Sequence, residues 1–513
     1  MQALFSRFAL EAAVFACGAI VMIYEITGSR IVAPYIGTST YVWTSLIGVV
    51  LAALSLGYWI GGKTADRRPD AKVLAAAVFL AGGAVSLTVL IKDLVLAALA
   101  AAGGALEIKA VVAALILFAP ASIMLGFVAP YAIKLRMRTL DDSGKTAGRL
   151  FALSTVGSIA GTFLAGFVLI PFVGSTRTLY LIASLLFLVS LLIAPLALAR
   201  RNVTVLLLFG ISVASSEASS YYLFRKHGLV DLDTSYSRVR IYETENERTG
   251  RPFRALATDP YFAQSAMYLD DGTPVFEYIP FYHLVRHFKP DHEHSLMIGG
   301  AGFTFPQEYL RTYSSARMDV VEIDPRMTEL ARQYFGLRDD PRLAVFHEDG
   351  RTFLNRAPSN TYDAVMVDAF GSLFSIPHQL TTVEAVREMH RVLRDNGIVI
   401  INIGSAISGR GSLFLQAEIA TYKQVFDDVL LFKVRPERRD AELQNVILVA
   451  RRSAAALPCP NCPDLESSTD AEITRMLLTR FTSDLPHSQP VLTDDLAPVE
   501  RYNSLALSEM QSR

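Results

Sequence analysis

The chain has 513 residues, of which 51% are hydrophobic and only 19% charged, and its formal net charge is −1. That length allows two or three domains of roughly 150 residues each, and a charge so near zero argues against nucleic acid as a partner. The apolar excess is unusual for a soluble enzyme; it lies almost entirely before residue 220, and the later half has ordinary polar content.

In chain order, apolar stretches occur at 8–29, 41–62, 73–91, 110–133, 150–172 and 178–198. Each is close to the ~20 residues a helix needs to cross a bilayer. A seventh, Val203 to Ser215, is shorter and serine-rich at its end, and either spans or lies along the interface. The first run is too long, and followed by too many others, to be a cleaved leader. These stretches predict an integral membrane protein with the lipid bilayer as a partner.

The loops carry an asymmetric charge. Lys63, Arg67, Arg68 and Lys72 follow the second stretch, Lys134, Arg136, Arg138, Lys145 and Arg149 follow the fourth, and Arg200 and Arg201 follow the sixth. The alternate loops are poorer, with Arg30 alone in the first and Arg177 in the fifth, which puts the N-terminus in the cytoplasm. Six spans would leave the later half cytoplasmic, the expected location at a bacterial inner membrane, and seven would place it outside. The segment Asp93 to Leu106 reads as re-entrant or as a surface helix. Glu25 and Arg30, costly near a span, read as a charge pair at the membrane edge or as part of an ion or ligand path. Gly157, Gly161 and Gly166 have the spacing of a helix-packing surface, and no internal repeat of the transporter kind is evident.

Beyond the apolar half, residues 218–285 alternate apolar and polar steps, as in Arg238-Val239-Arg240-Ile241-Tyr242, and predict a small β-meander. From Ser295 the pattern becomes strand, turn, helix, strand. Apolar runs end at Gly299-Gly300-Ala301-Gly302, at Glu322-Ile323-Asp324, at Glu348-Asp349-Gly350 and at Asp368. Later strands are expected at Ile398–Ile403, Val429–Val434 and Val446–Ala450, separated by helices Thr381–Arg394 and Leu413–Phe426. The alternation implies a parallel doubly wound sheet that binds its ligand at the carboxyl ends of the strands. The expected fold is therefore a multi-span α-helical membrane domain (1–217), a small β domain (218–285), a Rossmann-like α/β domain of the class I methyltransferase type (286–455) and a C-terminal helix and tail (456–513).

Gly299, Gly300 and Gly302 let the backbone turn sharply and approach a ligand closely. Glu322, at the end of the next strand, is placed to accept both ribose hydroxyls of a nucleoside, and Asp349, followed by Gly350, to accept from an adenine amino group. Each acid alone could equally be a helix cap; together, at successive strand ends, they point to an adenosyl ligand. Cys459 and Cys462 form a CPNC pair with no second pair to complete a zinc site, so no metal is expected.

The order GGAG, VEIDP, HEDGRTFL, YDAVMVDAF over roughly 235–455 resembles the spermidine synthase family, the aminopropyltransferases. Tyr268-Leu269-Asp270-Asp271-Gly272 and Tyr282-His283 are similar to that family's YLDG and YH elements. Span one, with Tyr24-Glu25 and Arg30, the run from Asp368 to Glu384 and the LTDDLAPVE tail resemble its membrane-fused branch. The resemblance implies attack of an amine on the carbon beside a sulfonium, with decarboxylated S-adenosylmethionine or S-adenosylmethionine as co-substrate and 5′-methylthioadenosine as the leaving group. Asp368 matches the family's catalytic-loop acid and would accept the proton, Tyr268 and Tyr282 would orient, and Asp271 is equally a turn residue. Gly299, Gly300, Gly302, Glu322, Asp349, Gly350 and Asp368 would hold the donor, with no tightly bound cofactor and a dimer as the expected assembly. Three family carboxylates that hold cationic amines are replaced here by Gly302, Gly371 and Leu284, with Asp494, Asp495 or Glu500 as candidates to substitute. That loss puts ordinary putrescine transfer in question. It motivates a second chemistry, closure of a ring by the donor's own amine, and leaves methyl transfer, a nucleoside sensor or a transporter-linked domain as further readings.

Overall fold

The computed structural model describes residues 2–37, 39–102, 105–137, 139, 143–194, 200–259, 262–370, 376–452, 466–482 and 489–511. Gly371, Cys459 and Cys462 lie outside them. Contacts divide the chain into two units, Met1–Val239 and Arg240–Arg513.

The first unit is a helical bundle: α1 (Gln2–Ile36), α2 (Thr40–Arg67), α3 (Ala71–Ala101), α4 (Leu106–Leu117), α5 (Ala119–Gly126), α6 (Val128–Arg136), α7 (Ser143–Leu164), α8 (Ser175–Ile193) and α9 (Arg200–His227), followed by strand β1 (Val230–Asp233). Among the described residues six helices are long and apolar enough to cross a membrane, and α4 with α5–α6 is a pair bent by 53° that makes a seventh if it counts as one span. α7 continues as a π-helix, Ala165–Val173, that contains Pro171. α3 spans Asp93 and runs on to Ala101, so the expected re-entrant segment is plain helix to that point.

Contacts within this unit fix the direction of every helix. At one end Glu11 of α1 pairs with Arg149 of α7 at 2.9 Å and Arg136 of α6 at 3.7 Å. Lys134 of α6 pairs there with Asp66 of α2 at 2.7 Å. At the other end Tyr35 of α1 donates to Asp93 of α3 at 2.9 Å. Arg30 donates to Ser235 O at 2.8 Å, and Ser175 of α8 donates through its amide and hydroxyl to Asp233 at 2.7 and 2.9 Å. Between the ends, Tyr24 donates to Leu117 O, Ser190 to Ala75 O and Ser212 to Ser86 O. Gly157 and Gly161 of α7 lie against the backbone of Phe15 and Ala19 of α1, where a Cβ would collide. Gly166 faces open space and takes no part in that seam. Glu25 and Arg30 do not form the expected pair: Arg30 reaches Ser235, and no ion pair of Glu25 occurs among the described residues. The short seventh stretch is in fact the full helix α9. Its serines do not stop a helix, and Gly228 at φ +60°, just past His227, does. That helix carries the chain beyond residue 217, where the small β domain was expected to begin.

The second unit opens with an antiparallel set, β2 (Arg238–Glu245), β3 (Pro252–Ala257) and β4 (Ala263–Tyr268). A 3₁₀ turn, Ile279–Leu284, and α10 (Val285–Phe288) follow; helical geometry replaces the end of the expected meander. Then come β5 (His294–Ile298), α11 (Thr304–Thr312), β6 (Arg317–Val321), α12 (Pro325–Tyr334), β7 (Leu343–Phe346), α13 (Gly350–Arg356), β8 (Tyr362–Val367), α14 (Val383–Val392), β9 (Leu393–Ser405), α15 (Leu413–Tyr422), β10 (Asp428–Lys433) and β11 (Gln444–Arg451). α16 (Ala471–Leu477) and α17 (Val499–Gln511) end the chain.

The main sheet has the order β10-β11-β9-β8-β5-β6-β7. β5 to β9 are parallel, but β11 runs antiparallel to both β9 and β10, so the sheet is mixed and the wholly parallel expectation is corrected. The physical reason is the connection: the loop between Lys433 and Gln444 carries no helix, and a parallel return needs a crossover of a dozen residues or more. β5, β8 and β9 are buried throughout their centres and clad on both faces, which explains their unbroken apolar runs. The strand order reverses between β5 and β8, and there the carboxyl ends leave a crevice.

Candidate active site

The crevice is built on the backbone between β5 and α11. Gly299 has φ +96°, and a Cβ there would stand 2.7 Å from Asp368 O, so only glycine fits. Ala301 at φ +42° and Phe303 at φ +54° are left-handed without being glycine, a strain typical of functional turns. Glu322, at the end of β6, holds this turn in place. Its Oε2 accepts from the amides of Gly300 and Ala301, both at 2.9 Å, and its Oε1 from Asp324 N at 3.0 Å. Burial pushes its carboxyl up, against those three amides. A carboxylate offers about four acceptor positions, so one on Oε1 is left for a ligand; the expectation that Glu322 takes both ribose hydroxyls is reduced to one. Gly302 N donates to Ser265 Oγ at 2.9 Å, and a Cβ on Gly302 would lie 2.8 Å from Ser265 Cβ. Ser265, from β4, thus occupies the space that the family's acid would need.

A narrow cleft lies over this turn, lined by Gln264, Ser265, Tyr278, Gly300, Thr304 and Asp368 among others. Asp368 follows β8. It keeps some surface open, while its carboxylate is enclosed by three neighbouring side chains. Tyr278 donates to Oδ2 at 3.0 Å and Asn402 of β9 donates to Oδ1 at 3.2 Å. Asn402 Oδ1 in turn accepts from Asn445 of β11 at 2.9 Å. Burial lifts the Asp368 carboxyl to about 6, a rise moderated by the hydrogen bonds from Asn402 and Tyr278. Burial also raises both tyrosines, with the nearby carboxylate adding to it, so they remain donors. Such a carboxylate is mostly ionised at neutral pH and can take a proton from a positioned amine.

The structure brings together only part of the predicted set. Gly299, Gly300 and Asp368 line the cleft. Tyr282 is fully buried behind Tyr278, rings edge to face at 6.1 Å, and donates to Val367 O at 3.3 Å. Asp349 caps α13 by accepting from Thr352 N at 2.9 Å, and takes Gln379 Nε2 at 3.1 Å on its other oxygen. Gly350 packs against Ile298, leaving no room for a side chain. Tyr268 is the misplaced candidate. Its hydroxyl accepts from Asn246, its ring lies under Arg251 at 3.8 Å, and it is not among the residues lining the cleft. Asp271 is a turn residue, accepting from Thr273 N and Oγ1. Leu284 is wholly buried in the apolar core. In the tail, Asp494 is held by Arg351 at 3.0 Å and by Thr382 Oγ1 at 2.6 Å, so it does not replace a missing amine-binding acid. Tyr278, Asn402 and Ser265 escaped the sequence reading. Asn402 had a signal, as the one polar residue in an otherwise apolar run.

Comparison with known proteins bears on this geometry. The family model described as the spermine/spermidine synthase domain matches residues 277–432, which include the glycine turn, Asp368 and Asn402. That match makes residues 277–432 similar to a spermine/spermidine synthase domain. A polyamine aminopropyltransferase of Vibrio vulnificus is 32% identical to this chain over 152 residues, 29% of this chain and 49% of that protein. The match therefore spans about half the length of that relative. Polyamine aminopropyltransferase 1 of Streptomyces coelicolor is 25% identical over 427 residues, 78% of this chain and 76% of its own, a span too long to fit in the second unit alone. Among solved structures, a probable spermidine synthase from Corynebacterium glutamicum is 23% identical, covers 48% of this chain and 88% of its own, and has a TM-score of 0.39. In the second unit, the acid at the end of β8 and the turn after β5 both touch this cleft, and both fall within the matched residues.

Proposed function

We propose that the chain is a membrane-anchored, aminopropyltransferase-like transferase that consumes an adenosylsulfonium and releases 5′-methylthioadenosine. The observation that carries this reading is Asp368, a carboxylate near 6 held by Tyr278 and Asn402 against the glycine turn. The amine lone pair attacks the carbon beside the sulfonium, the carbon–sulfur bond breaks, and its electron pair leaves on sulfur. The proton shed by the amine passes to Asp368. The turn at Gly299 to Gly302 lies close enough for backbone contact with the donor, Glu322 keeps one acceptor position for a ribose hydroxyl, and Asp349 is the candidate for the adenine amino group. The co-substrate is decarboxylated S-adenosylmethionine or S-adenosylmethionine.

A second chemistry has its own support. Ser265 fills the space beside Gly302, Leu284 is core, and Asp494 is bound to Arg351, so none of these three positions supplies an acid to hold a dication. This favours ring closure by the donor's own amine over attack by an external diamine. Purified protein incubated with each donor, with and without putrescine, separates the two. Methylthioadenosine that depends on putrescine supports transfer, methylthioadenosine without it supports cyclisation, and adenosylhomocysteine would mark methyl transfer and overturn both.

Membrane anchoring rests on the outward face of the first unit. Phe151, Ile159, Phe163, Phe167 and Phe172 along α7 and its π extension are all more than half exposed, and the apolar window of α9 is 6% buried. Apolar patches of that extent are not left in water. Recovery of the chain only in the detergent-soluble fraction after carbonate extraction is the expected result.

A further inference from the structure

We infer that the synthase domain lies on the non-cytoplasmic side of the membrane, because the bundle makes an odd number of passes; this rests on the membrane reading above. The contacts inside the first unit order the helices without reference to any lipid. α1 rises from the Glu11 end to the Tyr35 end. α2 descends, since Asp66 near its last turn meets Lys134 at the Glu11 end. α3 rises from Asp70 to Asp93, which meets Tyr35. The bent segment α4–α6 is not re-entrant: Leu117 meets Tyr24 and Thr88 midway, and Lys134 and Arg136 arrive at the Glu11 end, so it crosses.

The remaining helices follow the same logic. α7 rises parallel to α1, with Arg149 at Glu11, Gly157 at Phe15 and Gly161 at Ala19. α8 descends from Ser175, bound to Asp233, to Ser190, bound to Ala75 near the start of α3. α9 rises beside α3, with Val205 against Gly83, Ser212 against Ser86, and Glu217 paired with Arg177 of α8 at 3.8 Å. The chain leaves this unit through Val230 to Val239 at the Tyr35 end. Arg30 holds Ser235 there, Ser175 holds Asp233, and Arg238 grips Asp231 through two hydrogen bonds of 2.7 and 2.9 Å.

The cations choose the side. Lys63, Arg67, Arg68, Lys72, Lys134, Arg136, Lys145 and Arg149 all belong to the Glu11 end, and Arg200 and Arg201 begin α9 there. The Tyr35 end of the bundle holds fewer: Arg30, Lys92, Lys109 and Arg177, with Arg225 and Lys226 at the close of α9. The excess of Lys and Arg in short loops marks the cytoplasmic face. The N-terminus is cytoplasmic, and the unit beginning at Arg240 follows the chain out on the opposite face. A sulfonium is a permanent cation and does not cross hydrocarbon unaided. The donor must therefore be carried to that face, and the amine it alkylates is drawn from there.

The test uses the full chain, with Cys17→Ala, Cys459→Ser and Cys462→Ser, in spheroplasts of a bacterial host. Two single-cysteine versions are made: Arg439→Cys on an exposed loop of the second unit, and Lys63→Cys at the cation-rich end. With a membrane-impermeant maleimide, Arg439→Cys is expected to label in intact spheroplasts and Lys63→Cys only after lysis. Protection of Arg439→Cys until lysis overturns the inference, as does labelling of both before lysis. Carbonate extraction of the same samples tests the membrane reading separately: a chain released from the pellet overturns that reading, not the helix count. Neither readout depends on turnover, so the proposed chemistry can fail while the sidedness stands.

Discussion

A carboxylate that titrates near 6 is mostly charged at pH 7.5, and it loses its ability to take a proton as the solution falls below that point. With both substrates saturating, release of methylthioadenosine is expected to fall about tenfold per pH unit below pH ~6. Tyr278 and Asn402 both hold Asp368 down through donated hydrogen bonds. Tyr278→Phe and Asn402→Ala should therefore move that acid limb to higher pH, while Tyr268→Phe should leave it in place. A profile moved equally by all three would sink the assignment of Asp368. Asp368→Asn should cut turnover by about 10² to 10⁴, the usual worth of a positioned general base. The same substitution carries a stability prediction. The native state lifts this carboxyl from an ordinary 3.8 to about 6, so it binds the proton more tightly than the unfolded chain. Stability is then lost as pH rises from about 4 to 6, by at most roughly 3 kcal/mol from two units at ~1.36 each. Asp368→Asn should melt no lower than the parent at pH 7.5 while losing activity; a large drop in melting temperature would mean that Asp368 is structural.

At the scale of elements, the turn after β5 is the part most sensitive to change. Gly299→Ala puts a Cβ 2.7 Å from Asp368 O at a φ that side chains avoid. A cost of about 1–3 kcal/mol is expected for such strain, and because the atom displaced belongs to Asp368, activity should fall further than stability. Thermal melts beside turnover measure the two. Much of this architecture was legible before the fold was known. The strands β5 to β8 end where apolar runs met glycine or acid, because buried parallel strands admit little else. What was not legible depends on partners distant in sequence. Nothing local to Gly302 says that Ser265, from another sheet, fills its flank, and nothing in the tail says that Asp494 is spoken for by Arg351 and Thr382. Tyr268 and Tyr278 are both tyrosines near a turn, and only the path of the chain decides which one meets Asp368. The antiparallel β10–β11 pair was read as part of a parallel series because periodicity reports burial, not direction. The seventh helix looked short because its last turns, up to His227, are polar and aromatic, while its length is set by Gly228.

At the scale of the whole chain, each unit has apolar clusters of its own among the described residues. One core runs from Leu10 to Val189, and the others lie between Tyr278 and Tyr502. The polar connections at the end of the first unit involve the linker up to Arg238. A chain beginning at Arg238, which keeps β2 whole but loses its neighbour β1, retains both apolar clusters of the second unit and sheds the exposed aromatic face of α7. It should stay monodisperse without detergent and melt in one cooperative transition, as a domain with its own core does. It should also still bind 5′-methylthioadenosine, since the glycine turn, Glu322, Asp349 and Asp368 all belong to that part. Sedimentation, calorimetry and binding calorimetry read these three outcomes. Aggregation in the absence of detergent would show that the bundle completes the domain's fold. A soluble, cooperative but non-binding fragment would instead place the adenosyl site elsewhere, because the cleft over Gly299 is formed from second-unit residues alone.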